Sequence, residues 1–263
     1  MFGKRGKTGK PEPVAAVPAA TMTAAATNVM WRNMSPDVLH AFDEPDFPPQ
    51  PHSLPIPNEV LREASSVSQM PAFFAIGEAW SQMVAHYLPR DPRVVDIGCG
   101  CGKLARWFYI IPGLTYVGID LYAPSIRWCQ KAFAPYADRF QFVHFDGHSE
   151  VYNPTGVVKA SDYVMPLKDA EVDMTVCASL FTHLFEPDAR HYLAEIRRIT
   201  KPGGQAIISI HDQPKSGKFT GDEARIDIKG DYFRRMCADA GMPVVEQIGV
   251  IYGQTAYLLR RPA

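Results

Sequence analysis

Residues 94–104 read VVDIGCGCGKL, and this stretch decides the fold. A short apolar run contains an acid near its end, three glycines then alternate with other residues, and a helical pattern follows. This order predicts a buried strand, a tight turn and the start of a helix, which is where open α/β sheets bind nucleotide-like ligands. Glycine permits the sharp turn and leaves no Cβ between backbone and ligand. The spacing is Gly-x-Gly-x-Gly, whereas a dinucleotide fingerprint needs Gly-x-Gly-x-x-Gly.

Apolar runs and helical patterns alternate along the rest of the chain. Strands are predicted at 93–97, 114–120, 140–146, 172–178, 204–210, 243–250 and 255–260, and helices at 60–70, 71–88, 103–110, 124–135, 187–200 and 231–240. Such alternation forces a parallel sheet with right-handed crossovers. The last two strands are joined only around Gly253, so they should form an antiparallel hairpin. The predicted fold is α/β: a Rossmann-like, doubly wound, mostly parallel seven-stranded sheet with an antiparallel final strand.

The glycine turn after an acid resembles motif I of the class I S-adenosylmethionine (SAM) methyltransferases. Further motifs follow in that family's order: Asp120 ends the second predicted strand, and Lys201-Pro202-Gly203-Gly204 precedes the fifth. The resemblance covers about residues 72–261. It implies a SAM-dependent methyltransferase of the small-molecule or glycan type, bacterial-like, with SAM as its cofactor.

The resemblance also implies which residues hold SAM. Asp96 would pair with the methionine ammonium, and Asp120 would hold the ribose hydroxyls. Asp146, at the end of the third strand, would take the adenine amino group with the Gly147 N–H nearby; the alternatives are that Asp146 caps a turn and that Asp162 takes this role. The predicted cofactor-binding residues are Asp96, Gly98, Cys99, Gly100, Gly102, Asp120, Leu121, Asp146, Gly147, Ser179 and Leu180.

Two histidines are candidates for proton removal from an acceptor. Residues 177–184 read CASLFTHL and follow the fourth predicted strand, which in the family lies beside the transferable methyl. His183 in this segment can accept a proton near neutral pH. The alternative is that His183 makes only a structural hydrogen bond. His211 ends the fifth strand and is the second candidate, with an effect mainly on acceptor binding.

Motifs that are present, and others that are missing, restrict the chemical class of the methyl acceptor. The segment after the fourth strand lacks the (Asp/Asn)-Pro-Pro-(Tyr/Phe) motif of amide and nucleobase amino methyltransferases. Asp173 begins its strand rather than ending it, so the magnesium-holding acids of catechol-type enzymes are missing as well. The polar segment 211–230 is a connection suited to a hydroxylated or charged acceptor, or else a solvated loop. Residues 152–156, YNPTG, resemble a bacterial subgroup found among polysaccharide and glycoconjugate genes.

These features predict O-methylation of a small molecule or a saccharide without a metal. Two alternatives stay open: N-methylation of a small amine, and a SAM-binding interaction protein without transferase activity. Cys99 and Cys101 would suit a metal only with a second ligand pair, which the sequence lacks. The oligomeric state is not predicted.

The composition argues against nucleic-acid binding, a membrane span and secretion. The formal net charge is −1, so no global basic field attracts nucleic acid. No run of 18 apolar residues predicts a membrane span, and the first 30 residues lack the apolar core of a secretory signal. An odd count of five cysteines favours reduced thiols and therefore a cytoplasmic location.

The first 58 residues differ in composition from the rest. Residues 1–58 are rich in proline and alanine without apolar periodicity, which predicts a disordered or extended tail before a methyltransferase domain at 59–263. A basic cluster suggests a docking or membrane-surface arm, although a plain solvated tail is the alternative. The cluster is Lys4, Arg5, Lys7 and Lys10. The larger apolar side chains that could pack on the domain as a strap are Trp31, Leu39, Phe42 and Phe47.

Deletion of residues 1–45 should therefore leave the domain folded and able to bind SAM, because the deleted part has no apolar pattern that would form a core. Thermal unfolding and titration calorimetry of the truncated protein check this. A large drop in the unfolding temperature would instead show that Trp31, Phe42 or Phe47 packs into the body.

Overall fold

The computed structural model describes residues 54–213 and 217–263, so the predictions for the tail before residue 54 lie outside the described residues. The helices are α1 (Glu59–Ala64), α2 (Met70–Ala85), α3 (Ala105–Phe108), α4 (Ala123–Ala132), α5 (Glu186–Ile199) and α6 (Gly230–Asp239). The strands are β1 (Arg93–Ile97), β2 (Thr115–Asp120), β3 (Phe140–His144), β4 (Val172–Cys177), β5 (Thr200–Ile210), β6 (Phe219–Asp222), β7 (Arg225–Ile228), β8 (Val244–Ile251) and β9 (Gln254–Arg260).

Seven of the strands form one sheet in the order β3-β2-β1-β4-β5-β9-β8. The pairs β1–β2, β1–β4, β2–β3 and β4–β5 are parallel, whereas β9 runs antiparallel to both of its neighbours. The chain winds outward from β1 in both directions, which leaves the carboxyl ends of β1 and β4 side by side. The predicted fold class and the predicted final hairpin are confirmed.

The sheet carries a separate apolar core on each face, and β1 contributes to both. Val94 packs with α1 to α4, while Val95 and Ile97 pack with α5, α6 and the β6–β7 hairpin. All three side chains are buried, as expected for a central strand of a parallel sheet with both faces covered. The apolar run that opens the decisive stretch is therefore the centre of the molecule.

The predicted boundaries of three elements are corrected by the structure. The Lys201–Gly204 stretch lies within the bounds of β5 rather than before them, because Val172 pairs with Thr200 and Met174 already pairs with Gln205. The chain bulges out between these two pairings, and Gly203 takes a φ of +76° there. The predicted helices at 60–70 and 103–110 are shorter in the structure, as α1 and α3.

The segment 211–230 is not a solvated loop, so that alternative is wrong. It contains β6 and β7, which pair antiparallel as a hairpin. Ile226 and Ile228 of β7 are buried in the core, and the Ile226 N–H donates to the carbonyl of Thr182 at 2.7 Å. The alternation of buried and exposed residues in β7 is the strand signal, but it is only four residues long.

The segment before α1 is fixed to the body and places the α1–α2 connection over the glycine turn. Asn58 caps α1, since its side-chain oxygen accepts from the Leu61 N–H at 3.0 Å. The guanidinium of Arg106 donates to the carbonyls of Leu54 and Pro55. None of the helices in the described part of the chain combines the length and apolar character needed to cross a bilayer.

Candidate active site

A cavity of about 640 Å³ opens at the carboxyl edge of the sheet. Its walls come from the glycine turn after β1, the α1–α2 connection, the β2–α4 loop, the residues after β3 and β4, and the β8–β9 turn. Predicted site residues that line it are Asp96, Gly98, Cys99, Gly100, Asp120, Leu121, Ser179, Leu180 and His183. Residues from distant parts of the sequence meet here because parallel strands end at one edge.

Asp96 presents an unsatisfied carboxylate oxygen in this cavity. Its side chain is 1% exposed, Oδ2 accepts from the Tyr116 hydroxyl at 2.8 Å, and Oδ1 has no hydrogen-bond partner among the described residues. Burial, and next the nearby Asp120 carboxylate, raise the pKa of Asp96 to about 7, against the hydrogen bond from Tyr116 and the charge of Lys103. A buried acid with one unpaired oxygen is suited to a cationic ligand group.

The glycine turn brings its backbone close to neighbouring groups. Gly98 and Gly100 have φ of +81° and +53°, a region that residues with a Cβ rarely adopt. A Cβ at Gly100 would also collide with Ser65 Oγ, which accepts a hydrogen bond from the Cys101 N–H at 3.2 Å. The turn is thus held against the α1–α2 connection.

Asp120 joins two of the loops that form the cavity. Its Oδ2 accepts from the Gly100 N–H at 2.7 Å, and its Oδ1 accepts from the Tyr122 N–H at 2.7 Å. Burial raises the pKa of Asp120, while these backbone donors act in the opposite direction. One carboxylate therefore sets the positions of both the glycine turn and the loop that leads into α4.

The polar cavity residues that the sequence reasoning missed include Ser125 and Lys103. Ser125, in the first turn of α4, is 1% exposed, and its Oγ has no partner among the described residues. Lys103 donates from Nζ to the Ser65 carbonyl at 3.1 Å. Lys103 could have been identified from the sequence because it directly follows the third glycine of the turn. No local sequence pattern singles out Ser125.

The segment after β4 is fixed by a network of side chains from three strand ends. The Ser179 N–H donates to Ser209 Oγ at 2.9 Å, Ser209 Oγ donates to Gln254 Oε1 at 2.7 Å, and Gln254 Nε2 donates to Ser179 Oγ at 2.7 Å. Ser179 adopts a φ of +65°, which costs energy for a residue other than glycine. The closed network holds Ser179 in this conformation at the cavity wall.

His183 is held by hydrogen bonds at both ring nitrogens. Nδ1 lies 2.8 Å from the carbonyl oxygen of Glu223 in the β6–β7 hairpin, and Nε2 lies 3.3 Å from the Tyr152 hydroxyl. A carbonyl oxygen can only accept, so Nδ1 carries the proton in this contact. The neutral ring therefore has its lone pair on Nε2, toward Tyr152.

Three predicted cofactor residues do not line the cavity. Asp146 is exposed, and its carboxylate accepts from the Asn153 side chain at 3.0 Å. Gly147 is buried and donates its N–H to the Phe145 carbonyl at 2.7 Å, so it holds the chain after β3 instead. A Cβ at Gly102 would lie 3.3 Å from Cys129 Sγ, which makes this glycine a packing position.

The region assigned to Asp146 is lined by other residues. Phe145, Ala160 and Ser161 form the wall beyond β3, and Tyr163 stacks on Phe145 with ring centroids 3.6 Å apart. The competing candidate Asp162 is exposed and accepts from Ser161 Oγ at 3.2 Å. Neither predicted acid lines the cavity, because each lies exposed and is hydrogen-bonded to a neighbouring side chain, Asn153 or Ser161.

His211 is not brought together with His183. It does not line the cavity, and its Nδ1 is buried without a partner among the described residues. Burial and then the charge of Arg225 lower the pKa of His211, against a hydrogen bond involving the Gly253 backbone. Within residues 54–213 and 217–263, no group of three or more His, Cys, Asp or Glu side chains is arranged to hold a metal.

Comparison with known proteins agrees with this arrangement. Residues 95–208 match the sequence profile of a family described as a methyltransferase domain. Residues 95–208 are therefore similar to a methyltransferase domain, and the sheet they belong to has the class I SAM-dependent methyltransferase fold. The match runs from inside β1 to inside β5 and so contains the glycine turn, Asp120 and His183.

Curated relatives match the methyltransferase domain over part of their length. A malonyl-[acyl-carrier protein] O-methyltransferase of Magnetococcus marinus is 34% identical over 90 residues, 32% of each chain. An uncharacterized methyltransferase of Mycobacteroides abscessus is 30% identical over 135 residues, 51% of this chain and 45% of the relative. The matches thus cover less than half of the length of these two relatives.

A solved structure shares the fold at low sequence identity. The 1,6-didemethyltoxoflavin-N1-methyltransferase of Burkholderia thailandensis aligns with a TM-score of 0.54 and 19% identity, covering 72% of this chain and 80% of that one. At this identity the likeness concerns the fold alone.

The residues of the methyltransferase domain fit SAM chemically. SAM has a methionine ammonium, for which Asp96 Oδ1 is an unpaired and buried acceptor. The glycine turn has no Cβ at Gly98 or Gly100 that would obstruct a close ligand. Asp120 and Ser125 line the same cavity and offer oxygens suited to ribose hydroxyls.

The affinity for S-adenosylhomocysteine should rise about tenfold between pH 5.5 and 7, because the pKa of Asp96 is raised to about 7 and only its ionised form pairs with an ammonium. The ligand's α-amino group stays protonated over most of this range. Titration calorimetry at several pH values measures the dissociation constant and the proton release. Asp96→Asn is the control and should bind weakly with no such slope; a flat wild-type profile would contradict this role of Asp96.

Asp120→Ala should weaken S-adenosylhomocysteine binding by about 1–3 kcal/mol through lost hydrogen bonds. The same change releases the Gly100 and Tyr122 N–H groups, so it should also lower the unfolding temperature of the ligand-free protein. Calorimetry and thermal unfolding separate the two effects. Unchanged affinity would remove Asp120 from the binding site.

Proposed function

We propose that this protein is a metal-independent methyltransferase that transfers the methyl group of SAM to a hydroxyl oxygen of a small molecule or a saccharide. The observation that carries the proposal is the orientation of His183. Its Nδ1 proton is committed to the Glu223 carbonyl at 2.8 Å, which leaves a lone pair on Nε2 in the wall of the cavity. A hydroxyl needs a base when it is methylated, and an oriented neutral imidazole is suited to that task.

In this proposal SAM and the methyl acceptor occupy different parts of the cavity. Asp96 binds the methionine ammonium, and Lys103 at the same end offers a cation for the carboxylate. Asp120 and Ser125 bind the ribose. The wall of Phe145, Ala160 and Ser161 takes the adenine, in place of Asp146 and Gly147.

SAM supplies a methyl group made electrophilic by its sulfonium, and the protein aligns an acceptor with it. Ser179 and Leu180 form the wall beside the transferable methyl, and the network with Ser209 and Gln254 keeps that wall rigid. Alignment in a rigid site converts a bimolecular reaction into an effectively unimolecular one. His183 then holds the proton that the acceptor loses.

Transfer to nitrogen is the second candidate. Glu150, Asp188 and Glu223 line the cavity and could attract a cationic amine. An amine is already nucleophilic when neutral and depends less on a base. The names of similar proteins include both an O-methyltransferase and an N1-methyltransferase, so they favour neither candidate.

We also infer a cytoplasmic location. The five cysteines are free and buried, which agrees with a reducing compartment. The sulfur atoms pack in the core; burial raises the pKa of the Cys101 thiol to about 11, so it stays protonated.

A SAM-binding protein without transferase activity is the remaining alternative. Such a protein would not require the imidazole of His183 to be oriented by the Glu223 carbonyl.

A panel of methyl glycosides, 4-substituted phenols and small amines with tritiated-methyl SAM tests the proposal. We expect label in hydroxyl acceptors, and we expect His183→Ala to lower kcat by about 10²–10⁴-fold while affinity for S-adenosylhomocysteine is retained. His86→Ala, an exposed histidine at the end of α2, is the matched control. Label only in amines would show that the acceptor atom is nitrogen rather than oxygen. A near-normal kcat in His183→Ala would show that this histidine has only a structural role.

A further inference from the structure

Tyr152 is the cavity residue that contacts the lone-pair side of His183. Its hydroxyl lies 3.3 Å from Nε2, and the two rings meet edge to face with centroids 5.3 Å apart. This distance is long for an O–H···N hydrogen bond but within its range, and such contacts commonly tighten when a substrate binds.

The position of Tyr152 is set by a tight turn rather than by a free loop. Ser149 and Asn153 exchange both backbone hydrogen bonds at 3.1 Å, and Ser149 Oγ accepts from the Tyr152 N–H at 2.9 Å. The Asn153 side chain donates to the Gly147 carbonyl at 3.0 Å, which ties the turn to the chain leaving β3. Tyr152 is thus presented to His183 by a turn with its own hydrogen-bonded support.

The direction of the hydrogen bond follows from the tautomer of His183. Nδ1 carries the proton toward the Glu223 carbonyl, so Nε2 accepts and the Tyr152 hydroxyl donates. The lone pair that would act as a base is therefore engaged by a phenol. An acceptor hydroxyl in the cavity can reach the base through the phenol oxygen, which keeps lone pairs of its own.

We propose that Tyr152 is a catalytic residue that relays the acceptor's proton to His183. The inference rests on the proposed transfer to a hydroxyl. As the S–CH₃ bond of SAM breaks and the O–CH₃ bond forms, the acceptor's hydroxyl proton passes to Tyr152 Oη. The proton of Tyr152 passes at the same time to His183 Nε2, which becomes an imidazolium. The positive charge lost by the sulfonium thus ends on His183, close to the Glu223 carbonyl.

The relay accounts for the contacts at both ring nitrogens of His183, which a purely structural hydrogen bond would not require. The same imidazole is fixed at Nδ1 by a backbone carbonyl and covered at Nε2 by a group that can both accept and donate a proton. A phenylalanine at 152 would provide the same packing without the proton path. Tyr152→Phe is therefore a change of one oxygen atom that separates the two roles.

The test is a double-mutant cycle with the phenols and methyl glycosides of the panel. Tyr152→Phe should lower kcat about 10- to 100-fold, with KM and S-adenosylhomocysteine affinity within about threefold of wild type. Tyr152→Phe combined with His183→Ala should be no slower than His183→Ala alone, because a relay is interrupted by either change. Tyr136→Phe is the matched control, since this tyrosine lies in the short helix after α4 and does not line the cavity.

The acidity of the phenol provides a readout that loss of structure would not reproduce. With 4-nitrophenol, which is largely ionised at pH 8, the defect of Tyr152→Phe should shrink toward onefold, because no proton needs to be moved. An equal defect on all phenols, or multiplied defects in the double variant, would overturn the relay and leave His183 as a direct base. Absence of label in every hydroxyl acceptor would overturn the proposed function and the relay together.

Discussion

The carboxylate of Asp120 is the contact on which the arrangement of the site depends. It stands at the end of β2, beside β1, and accepts one hydrogen bond from the glycine turn after β1 and one from the loop before α4. Two loops from neighbouring parallel strands are thereby fixed to each other across the mouth of the sheet. Because the turn also touches the α1–α2 connection through Ser65, the Asp120 carboxylate links three walls of the cavity, two directly and the third through the glycine turn.

The site combines this order with buried polar groups that have no hydrogen-bond partner among the described residues. Asp96 keeps one bare oxygen in the interior, and Ser125 keeps a bare hydroxyl. Unpaired polar groups in the core lower the stability of a folded protein, and an ionised Asp96 would lower it further. We interpret these unpaired polar groups as groups that bind a ligand. The apolar cores on both faces of the sheet supply the stability that offsets their cost to folding.

In the proposed function, the acceptor side of the cavity is built from segments outside the glycine turn. The β6–β7 hairpin supplies the carbonyl that orients His183, the turn after β3 supplies Tyr152, and the first residue of β9 is Gln254. None of these belongs to the glycine turn and strand ends that face the cofactor. Loops at a sheet edge can change without disturbing the strands, so these segments could be altered while the glycine turn stays in place.

The sequence by itself determined the sheet, its order of elements and the residues that stand at strand ends. Asp96, the glycine turn, Asp120, Ser179 and His183 follow directly from buried strands, and a parallel sheet places all strand ends at one edge. Only the tertiary structure decided which side chains of the connections face the cavity. Asp146 and His211 also stand at strand ends but turn away, while Tyr152 and Ser125 turn inward. Their directions depend on contacts with distant segments, and the strand period says nothing about residues beyond the strand.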